Sequence, residues 1–254
     1  MGALHRGHTS LFESARSLVG AKGTVVASIF VNPTQFGPKE DFSRYPRPFS
    51  KDQSLCRSHG VDLLFAPTQG ETYTPDFSCW VDESLVSLGL CGGSRPGHFR
   101  GVCTVVLKLL QICQPHVAVF GQKDFQQCAV ISRMVRDLNV PVKLVFAPTV
   151  REQDGLALSS RNAYLNAEER EQAPALYAAL CEAKQRVRSG EHRASAIRQL
   201  IARRVRQCPD ARVDYVSIVH SETLKQVKNI ESPTTAALAV FFGKTRLIDN
   251  IKLR

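Results

Sequence analysis

MGALHRGH, residues 1–8, leads directly into a segment, residues 11–19, whose apolar side chains recur at helical spacing. This order predicts a helix with His5, Gly7 and His8 at its N-terminus. Backbone N–H groups point outward there, and the helix dipole favours anions. Gly7 lets a phosphate approach the backbone, and imidazoles can stabilise the charge that develops on phosphoryl oxygens. The stretch therefore predicts a nucleotidyl-transfer site, although two histidines near a terminus also suit a solvated end or half of a zinc site.

Strand-like and helix-like runs alternate over the first two-thirds of the chain. The β-rich apolar runs fall at residues 24–31, 61–66, 117–120 and 142–147, and helical patterns fall between them at about 49–59, 102–113 and 124–138. This alternation predicts an α/β fold with a parallel sheet and helices on both faces.

The pattern changes after about residue 148. A capping-box sequence at residues 166–169 precedes a helical pattern at 173–187, a second helical pattern covers about 193–207, and β-rich runs follow at 213–219 and 236–242. We therefore predict two domains, residues 1–148 and a smaller α+β unit at residues 149–254.

A polar motif, NPTQF at residues 32–36, stands directly after the first predicted strand. Ligands in such folds bind at the carboxyl ends of the strands. The Asn32 and Gln35 amides can therefore bind a polar small molecule there, although Asn-Pro also favours a plain turn.

A second motif, GQKD at residues 121–124, also follows a predicted strand. Lys123 can hold a phosphate, and Asp124 can accept from a ribose hydroxyl or cap the following helix. Gln126 and Gln127 lie on the first turn of that helix, where one of them should face the cleft.

Two further segments predict contacts with anions. Residues 154–162, DGLALSSRN, place two adjacent hydroxyls beside a guanidinium, which suits a polyphosphate; a polar interdomain linker is the alternative. Residues 92–101 combine glycines with Arg95, His98 and Arg100, which predicts a mobile basic lid that closes over an anionic substrate.

Composition places the chain among globular proteins, with 254 residues, 43% hydrophobic and 22% charged. No apolar run approaches the roughly 18 residues of a membrane span, and the N-terminus lacks the apolar block of a signal peptide. The cysteines form no C-x-x-C pair, which predicts reduced thiols in a cytoplasmic protein without disulfides or a zinc site.

The formal net charge is +10, and basic residues are concentrated in residues 181–206. Because no aromatic residue is interleaved with the arginines, we expect a solvated helical face there; an anionic substrate also suits a basic protein. The alternative is a nucleic-acid-binding protein, which would bind arbitrary duplex DNA in a salt-dependent way. We expect small-molecule substrates, no nucleic-acid partner and no membrane partner.

Seven motifs together resemble the pantoate–β-alanine ligase family of H-x-G-H nucleotidyltransferases: MGALHRGH, FVNPTQF, RYPR, GGSRPGHFRGVCTVVLKL, FGQKDFQQ, DGLALSSRNAYL and RLIDN. They occur in this order, and the resemblance covers residues 1–251. The resemblance implies a Rossmann-like ATP domain, a smaller C-terminal domain that closes over the active site, and a homodimer. It also implies two steps: ATP and pantoate give pantoyl adenylate and pyrophosphate, then β-alanine attacks and releases AMP.

The resemblance assigns roles to individual residues. ATP-binding residues are Met1, Gly2, Ala3, Leu4, His5, Arg6, Gly7, His8, Gly121, Gln122, Lys123, Asp124, Val150, Leu158, Ser159, Ser160 and Arg161. Residues for pantoate and β-alanine are Gln35, Gln127, Val102, Val105 and Val106. The implied catalytic residues are His5, His8 and Lys123, with His8 labelled the proton donor in the family. Magnesium enters with ATP; no protein ligand for it is assigned, and Asp52 is the candidate.

This sequence departs from the family pattern at two places. Family members carry a first β-strand ending in Pro-Thr directly before the Met-Gly of the first motif, whereas this chain starts at that Met. We expect a misassigned start, with a truncated relative as the alternative, and we expect the chain from Met1 to be aggregation-prone or weakly active. Gln122 stands where many members carry Glu. Other interpretations are an adenylyltransferase that stops at a nucleotide product and a non-catalytic remnant.

Overall fold

The computed structural model describes residues 2–38 and 40–254. The chain begins with helix α1 (Arg6–Val19), strand β1 (Val26–Ser28), helix α2 (Phe49–Ser58), strand β2 (Leu63–Phe65) and helix α3 (Gln69–Thr72). Strands β1 and β2 pair in parallel, with Val26 opposite Leu63. Both strands and α2 occur where the sequence predicts them, but the strands are shorter than the apolar runs that contain them.

The next elements are helix α4 (Cys91–Ser94), helix α5 (His98–Cys113), strand β3 (Val117–Gly121), helix α6 (Phe125–Asp137) and strand β4 (Lys143–Ala147). Strands β3 and β4 also pair in parallel, and α1 packs against both. The predicted α/β fold with parallel pairing and flanking helices is confirmed. Among the described residues, however, the strands form two parallel pairs and not one continuous sheet.

The mobile basic lid predicted at residues 92–101 is not a loop, because α4 and the start of α5 occupy most of this segment. Two of its glycines allow close packing. A Cβ on Gly101 would lie 2.5 Å from the carbonyl oxygen of Thr34, so only glycine lets α5 pack against the turn after β1. A Cβ on Gly92 would likewise collide with the carbonyl oxygen of Ser87.

The C-terminal part contains helices α7 (Ala167–Gln172), α8 (Ala175–Arg188) and α9 (Ala194–Val205), followed by strands β5 (Ala211–His220), β6 (Thr234–Phe242) and β7 (Thr245–Lys252). The strands form an antiparallel sheet in the order β5-β6-β7. The predicted capping box is present, since the side chains of Asn166 and Glu169 each accept from the other's backbone N–H. Strand β7 was not predicted from the sequence.

The buried apolar residues of the described part of the chain form three clusters. One lies under α1, a second surrounds α5 and α6, and the third joins α8 and α9 to the antiparallel sheet. Tyr215 and Ile248 of that sheet pack against the second cluster, so the C-terminal part directly contacts the helices that flank the parallel strands. The domain boundary at residue 148 stays a prediction.

All eight cysteines are free thiols, as expected from their spacing, although Cys79 is exposed. Each helix within residues 2–38 and 40–254 falls short of the length and apolar character that a membrane span requires.

Candidate active site

The two histidines of the first motif lie at the start of α1 and are held by the backbone. His5 is the N-cap residue, and its Nδ1 accepts from the Gly7 N–H at 3.1 Å. The Nδ1 of His8 accepts from the His5 N–H at 3.3 Å, and the ring centroids are 4.1 Å apart. A neutral imidazole that accepts at Nδ1 carries its proton on Nε2. Both rings therefore present an Nε2–H donor.

Burial keeps both imidazoles neutral. Burial, together with the charge of Lys123, lowers the pKa of His5 to about 4. Burial also lowers the pKa of His8 to about 2, with contributions from the charges of His5 and Lys123. At neutral pH the pair therefore acts through hydrogen-bond donation, not through positive charge.

Gly7 is required by the position of the His5 ring. A Cβ on Gly7 would lie 2.9 Å from His5 Cε1 and 3.6 Å from the Cβ of Leu158. Gly7 thus leaves room for the imidazole. The short distance to Leu158 also shows that the 158–161 segment lies directly against the start of α1.

The backbone before the histidines is anchored by Asp52. Its Oδ1 accepts from the Leu4 N–H at 2.8 Å, and the Asp52 side chain is almost fully buried. One oxygen of this carboxylate holds the Leu4 backbone, and its role as a magnesium ligand stays a prediction. No cluster of three or more His, Cys, Asp or Glu suited to a metal occurs in the described part of the chain. Of the remaining residues in the motif, Arg6 is exposed and Met1 lies outside the described residues.

The GQKD segment joins β3 to α6. Asp124 is the N-cap of α6 but makes no side-chain capping bond, and its side chain is exposed. The Lys123 ammonium has no hydrogen-bond or ion-pair partner among the described residues, and burial lowers its pKa. Both charged groups are therefore available to a ligand. Gln122 is exposed.

The two glutamines on the first turn of α6 differ in their partners. The Gln126 side chain is buried; its Nε2 donates to the carbonyl oxygens of Val86 and Gly89, and its Oε1 accepts from Cys91 N–H. Both glutamines border a cavity of about 1080 Å³. Because main-chain groups already occupy the Gln126 amide, Gln127 is the one whose amide we assign to a ligand.

The 158–161 segment contributes one hydroxyl and a guanidinium to the same cavity. Ser159 and Arg161 line it, beside Lys123 and Asp124. The Oγ of Ser159 accepts from the Arg161 N–H at 3.2 Å, whereas the Oγ of Ser160 hydrogen bonds with the Tyr45 hydroxyl at 2.9 Å. Just upstream, the Val150 carbonyl accepts from the Leu158 N–H at 3.0 Å. The structure therefore brings two of the sequence-predicted phosphate segments together around one cavity.

Gln35 lies beside α5, next to that cavity and outside its lining. Its Oε1 accepts from the buried Asn32 amide at 3.1 Å, and that amide also donates to the carbonyl oxygen of Gly101. The Gln35 carbonyl oxygen accepts from Arg95 at 3.0 Å and is 2.8 Å from Nδ1 of His98. Burial lowers the pKa of His98 to about 4.

The three valines assigned to pantoate by resemblance face mostly inward. Val102 is 1% exposed and belongs to the core around α5 and α6, Val105 is also buried, and Val106 packs against that core. None of them lines the cavity of about 1080 Å³. Only Val106 retains enough accessible surface for a contact with a ligand.

Two acidic residues that sequence reasoning missed pair with arginines of the cavity. Glu40 accepts from Arg95 through both carboxylate oxygens, each at 2.6 Å. Asp41 accepts from Arg161 at 3.0 and 3.2 Å. The adjacent guanidiniums hold the pKa of each carboxyl below its usual value, against the opposing effect of burial. The two carboxylates therefore neutralise part of the positive charge of the basic segments. In the sequence, the only indication of this pairing was that Glu40 and Asp41 are adjacent acidic residues.

Comparison with known proteins gives one consistent result. A sequence profile described as pantoate-beta-alanine ligase matches residues 1–252. Pantothenate synthetase from Thermotoga neapolitana is 52% identical over 250 residues, which is 98% of this chain and 88% of that protein. The pantothenate synthetase of Moorella thermoacetica is 50% identical over 253 residues, covering 100% of this chain and 88% of that one.

Solved structures agree. Pantothenate synthetase from Thermus thermophilus has a TM-score of 0.95 and 46% identity, covering 100% of this chain and 91% of that chain. A pantoate-beta-alanine ligase from Francisella tularensis, complexed with beta-gamma ATP and beta-alanine, has a TM-score of 0.78 and 34% identity, covering 100% of this chain and 87% of that one.

Proposed function

The chain belongs to the pantoate-β-alanine ligase family, and we propose that it joins pantoate to β-alanine, converting ATP to AMP and pyrophosphate. The observation that carries the proposal is the pair of neutral imidazoles at the start of α1, next to the cavity that Lys123, Asp124 and Arg161 line. This set combines uncharged donors, cations and a free carboxylate, which is what an ATP-dependent carboxylate activation requires.

In the first step, a carboxylate oxygen of pantoate attacks the α-phosphorus of ATP, and the bond to the bridging oxygen of pyrophosphate breaks. Negative charge grows on the phosphoryl oxygens, where the Nε2–H donors of His5 and His8 stabilise it. The Lys123 ammonium holds the phosphates, and the exposed Asp124 carboxylate accepts from a ribose hydroxyl. Magnesium arrives with ATP as part of the substrate.

In the second step, the unprotonated amine of β-alanine attacks the acyl carbon of the adenylate. The carbon–oxygen bond to AMP breaks, an amide bond forms, and the amine loses a proton to solvent. We assign pantoate to Gln35, beside α5, and Gln127, on the first turn of α6, with Val106 against its methyl groups. The 158–161 segment closes over the phosphates.

Isotope exchange between pyrophosphate and ATP tests the order of the steps. We expect exchange that needs pantoate and ATP and is independent of β-alanine. Exchange that requires β-alanine would rule out the adenylate route. Release of AMP that needs β-alanine separates this function from an adenylyltransferase that stops at a nucleotide product.

Three further features belong to the proposal: a homodimer, a cytoplasmic location, and two domains that meet near residue 148. Light scattering at micromolar concentration tests the first, since a monomer mass would contradict it. Fractionation of cells tests the second. Limited proteolysis that cuts close to residue 148 before any other place supports the third.

A further inference from the structure

Asn250, on strand β7, contacts the turn between β3 and α6. Its Nδ2 donates to the main-chain oxygens of Gln122 and Lys123, each at 3.0 Å. A side-chain amide nitrogen carries two hydrogens, so both bonds form together. Two successive carbonyl groups of the GQKD segment are thus fixed by one residue that follows them by more than 120 positions in sequence.

The preceding residue, Asp249, fixes the second phosphate segment. Its buried carboxylate accepts from Arg151 at 2.6 and 2.9 Å. Arg151 also donates to the carbonyl oxygen of Gly155 at 3.1 Å and forms a β-bridge with Ala157. This turn leads directly into the 158–161 segment. The Oδ1 of Asp249 also accepts from the Asn250 N–H at 2.8 Å, which couples the two residues.

We propose that Asn250 is a positioning residue for the nucleotide phosphates, fixing the Lys123 main chain relative to the segment that Asp249 holds. The inference rests on the proposed function, because these segments are the ones assigned to ATP. The Lys123 ammonium has no partner among the described residues, so its place in the cavity depends on the backbone that bears it. Asn250 acts through that backbone.

Two substitutions separate positioning from simple packing. Asn250→Ala removes both donors. Asn250→Asp keeps the volume but places an ionised carboxylate, which only accepts, against two carbonyl oxygens. If Asn250 merely fills space, replacement by Asp should be tolerated better than replacement by Ala. If Asn250 positions the backbone as a donor, replacement by Asp should be tolerated less well than replacement by Ala. Lys252→Ala is the matched control, because Lys252 is exposed on the same strand and its side chain makes no hydrogen bond among the described residues.

The experiment measures calorimetric binding of β,γ-methylene ATP, steady-state KM values for each substrate, and thermal unfolding. We expect Asn250→Ala to weaken binding of the analogue and raise KM for ATP about tenfold, equivalent to about 1.4 kcal/mol. KM for β-alanine should change less than about twofold and Lys252→Ala should match the parent. Asn250→Asp should bind the analogue more weakly than Asn250→Ala at pH 8, with the difference shrinking toward pH 5 as a protonated carboxyl regains one donor.

Two results overturn the inference: binding of the analogue by Asn250→Ala at the parent's affinity, or binding by Asn250→Asp that equals or exceeds that of Asn250→Ala. A uniform loss for all substrates with a lower melting temperature also overturns it, since that is general destabilisation. Where the alanine variant does not fold, Asn250→Asp is compared with the parent, and binding of the analogue at the parent's affinity by Asn250→Asp at pH 8 overturns the inference. A parent that binds the analogue and makes no pantothenate contradicts the proposed function instead, and leaves the binding comparison intact.

Discussion

The main-chain N–H of Leu4 donates to the carboxylate of Asp52 at 2.8 Å, inside the protein and across 48 positions of sequence. This bond connects the start of the H-x-G-H motif to helix α2. We assign no ligand-binding residue to this helix. It nevertheless helps to determine where the histidines lie.

We expect Asp52→Ala to lower the free energy of unfolding by about 1–3 kcal/mol, because it leaves the buried Leu4 N–H unsatisfied. Binding of ATP should weaken as well. Asp52→Asn retains an acceptor, so its free energy of unfolding and its ATP affinity should fall less. Urea unfolding measures the first quantity, and calorimetry measures the second. Asp137→Ala, at an exposed position, serves as the control. Equal losses in the Ala and Asn variants would show that the bond to Leu4 does not matter.

His8→Ala should lower the rate of adenylate formation by a factor on the order of 10²–10³, equivalent to about 3–4 kcal/mol of transition-state stabilisation. The Nε2–H donor acts on charge that grows during the step, so pantoate affinity should change little. Pre-steady-state release of pyrophosphate measures the rate. His192→Ala is the control, since His192 is exposed. Near-parent turnover in His8→Ala would remove this residue from the mechanism.

Gly7→Ala should reduce activity much more than stability. Alanine is the better helix former, by roughly 1 kcal/mol in a helix interior. The new Cβ, however, would lie 2.9 Å from His5 Cε1 and displace the imidazole. Turnover and thermal unfolding should be compared with Gly70→Ala, where a Cβ meets nothing within 4 Å. Parent-like turnover in Gly7→Ala would mean that the His5 ring does not need its present position.

Stability should fall as the pH is lowered from 7 to 5. The pKa values of His5 and His98 are lowered to about 4 and that of His8 to about 2, against 6.5 for an unperturbed histidine. Between pH 6.5 and about 4 the unfolded chain therefore binds more protons than the folded one, so stability rises with pH in that window. Each group contributes at most about 1.4 kcal/mol per pH unit.

Urea unfolding at pH 7, 6 and 5 measures this slope. His8→Gln should reduce the slope, and His192→Gln should leave it unchanged. Working at pH 5 and above keeps Glu40 and Asp41 ionised, because the pKa values of both carboxyls are lowered in the folded protein. A slope that His8→Gln leaves intact would show that the imidazole is not kept neutral by burial.

Local chemistry made the first motif and the strand-end motifs predictable. The H-x-G-H run contains its own cap, its own glycine and both rings within four residues, so no distant contact is needed to recognise it. The GQKD segment is similarly marked, because a polar stretch with two charges directly follows an apolar run. In both cases the residues that form the sequence pattern are the same residues that form the structural unit.

The rest depended on contacts that no local pattern records. Strand β7 was missed because Asp249 interrupts its apolar alternation, and the buried charge is compensated by Arg151, 98 positions away. The glycines of residues 92–101 suggested mobility, whereas Gly101 exists to admit the Thr34 carbonyl. The pairing of Arg161 with Asp41, 120 positions away in sequence, could not be predicted from a local pattern either.

Arg95 pairs with Glu40, and Arg161 pairs with Asp41. These two ion pairs affect the interpretation of any alanine scan of this cavity. Removing either arginine does not simply subtract one positive charge; it also releases a half-buried carboxylate whose negative charge is then uncompensated. The measured loss of ATP affinity would combine the missing guanidinium with repulsion from the freed acid. Comparison of each double substitution, arginine and carboxylate together, with the carboxylate substitution alone isolates what each guanidinium contributes to the phosphates.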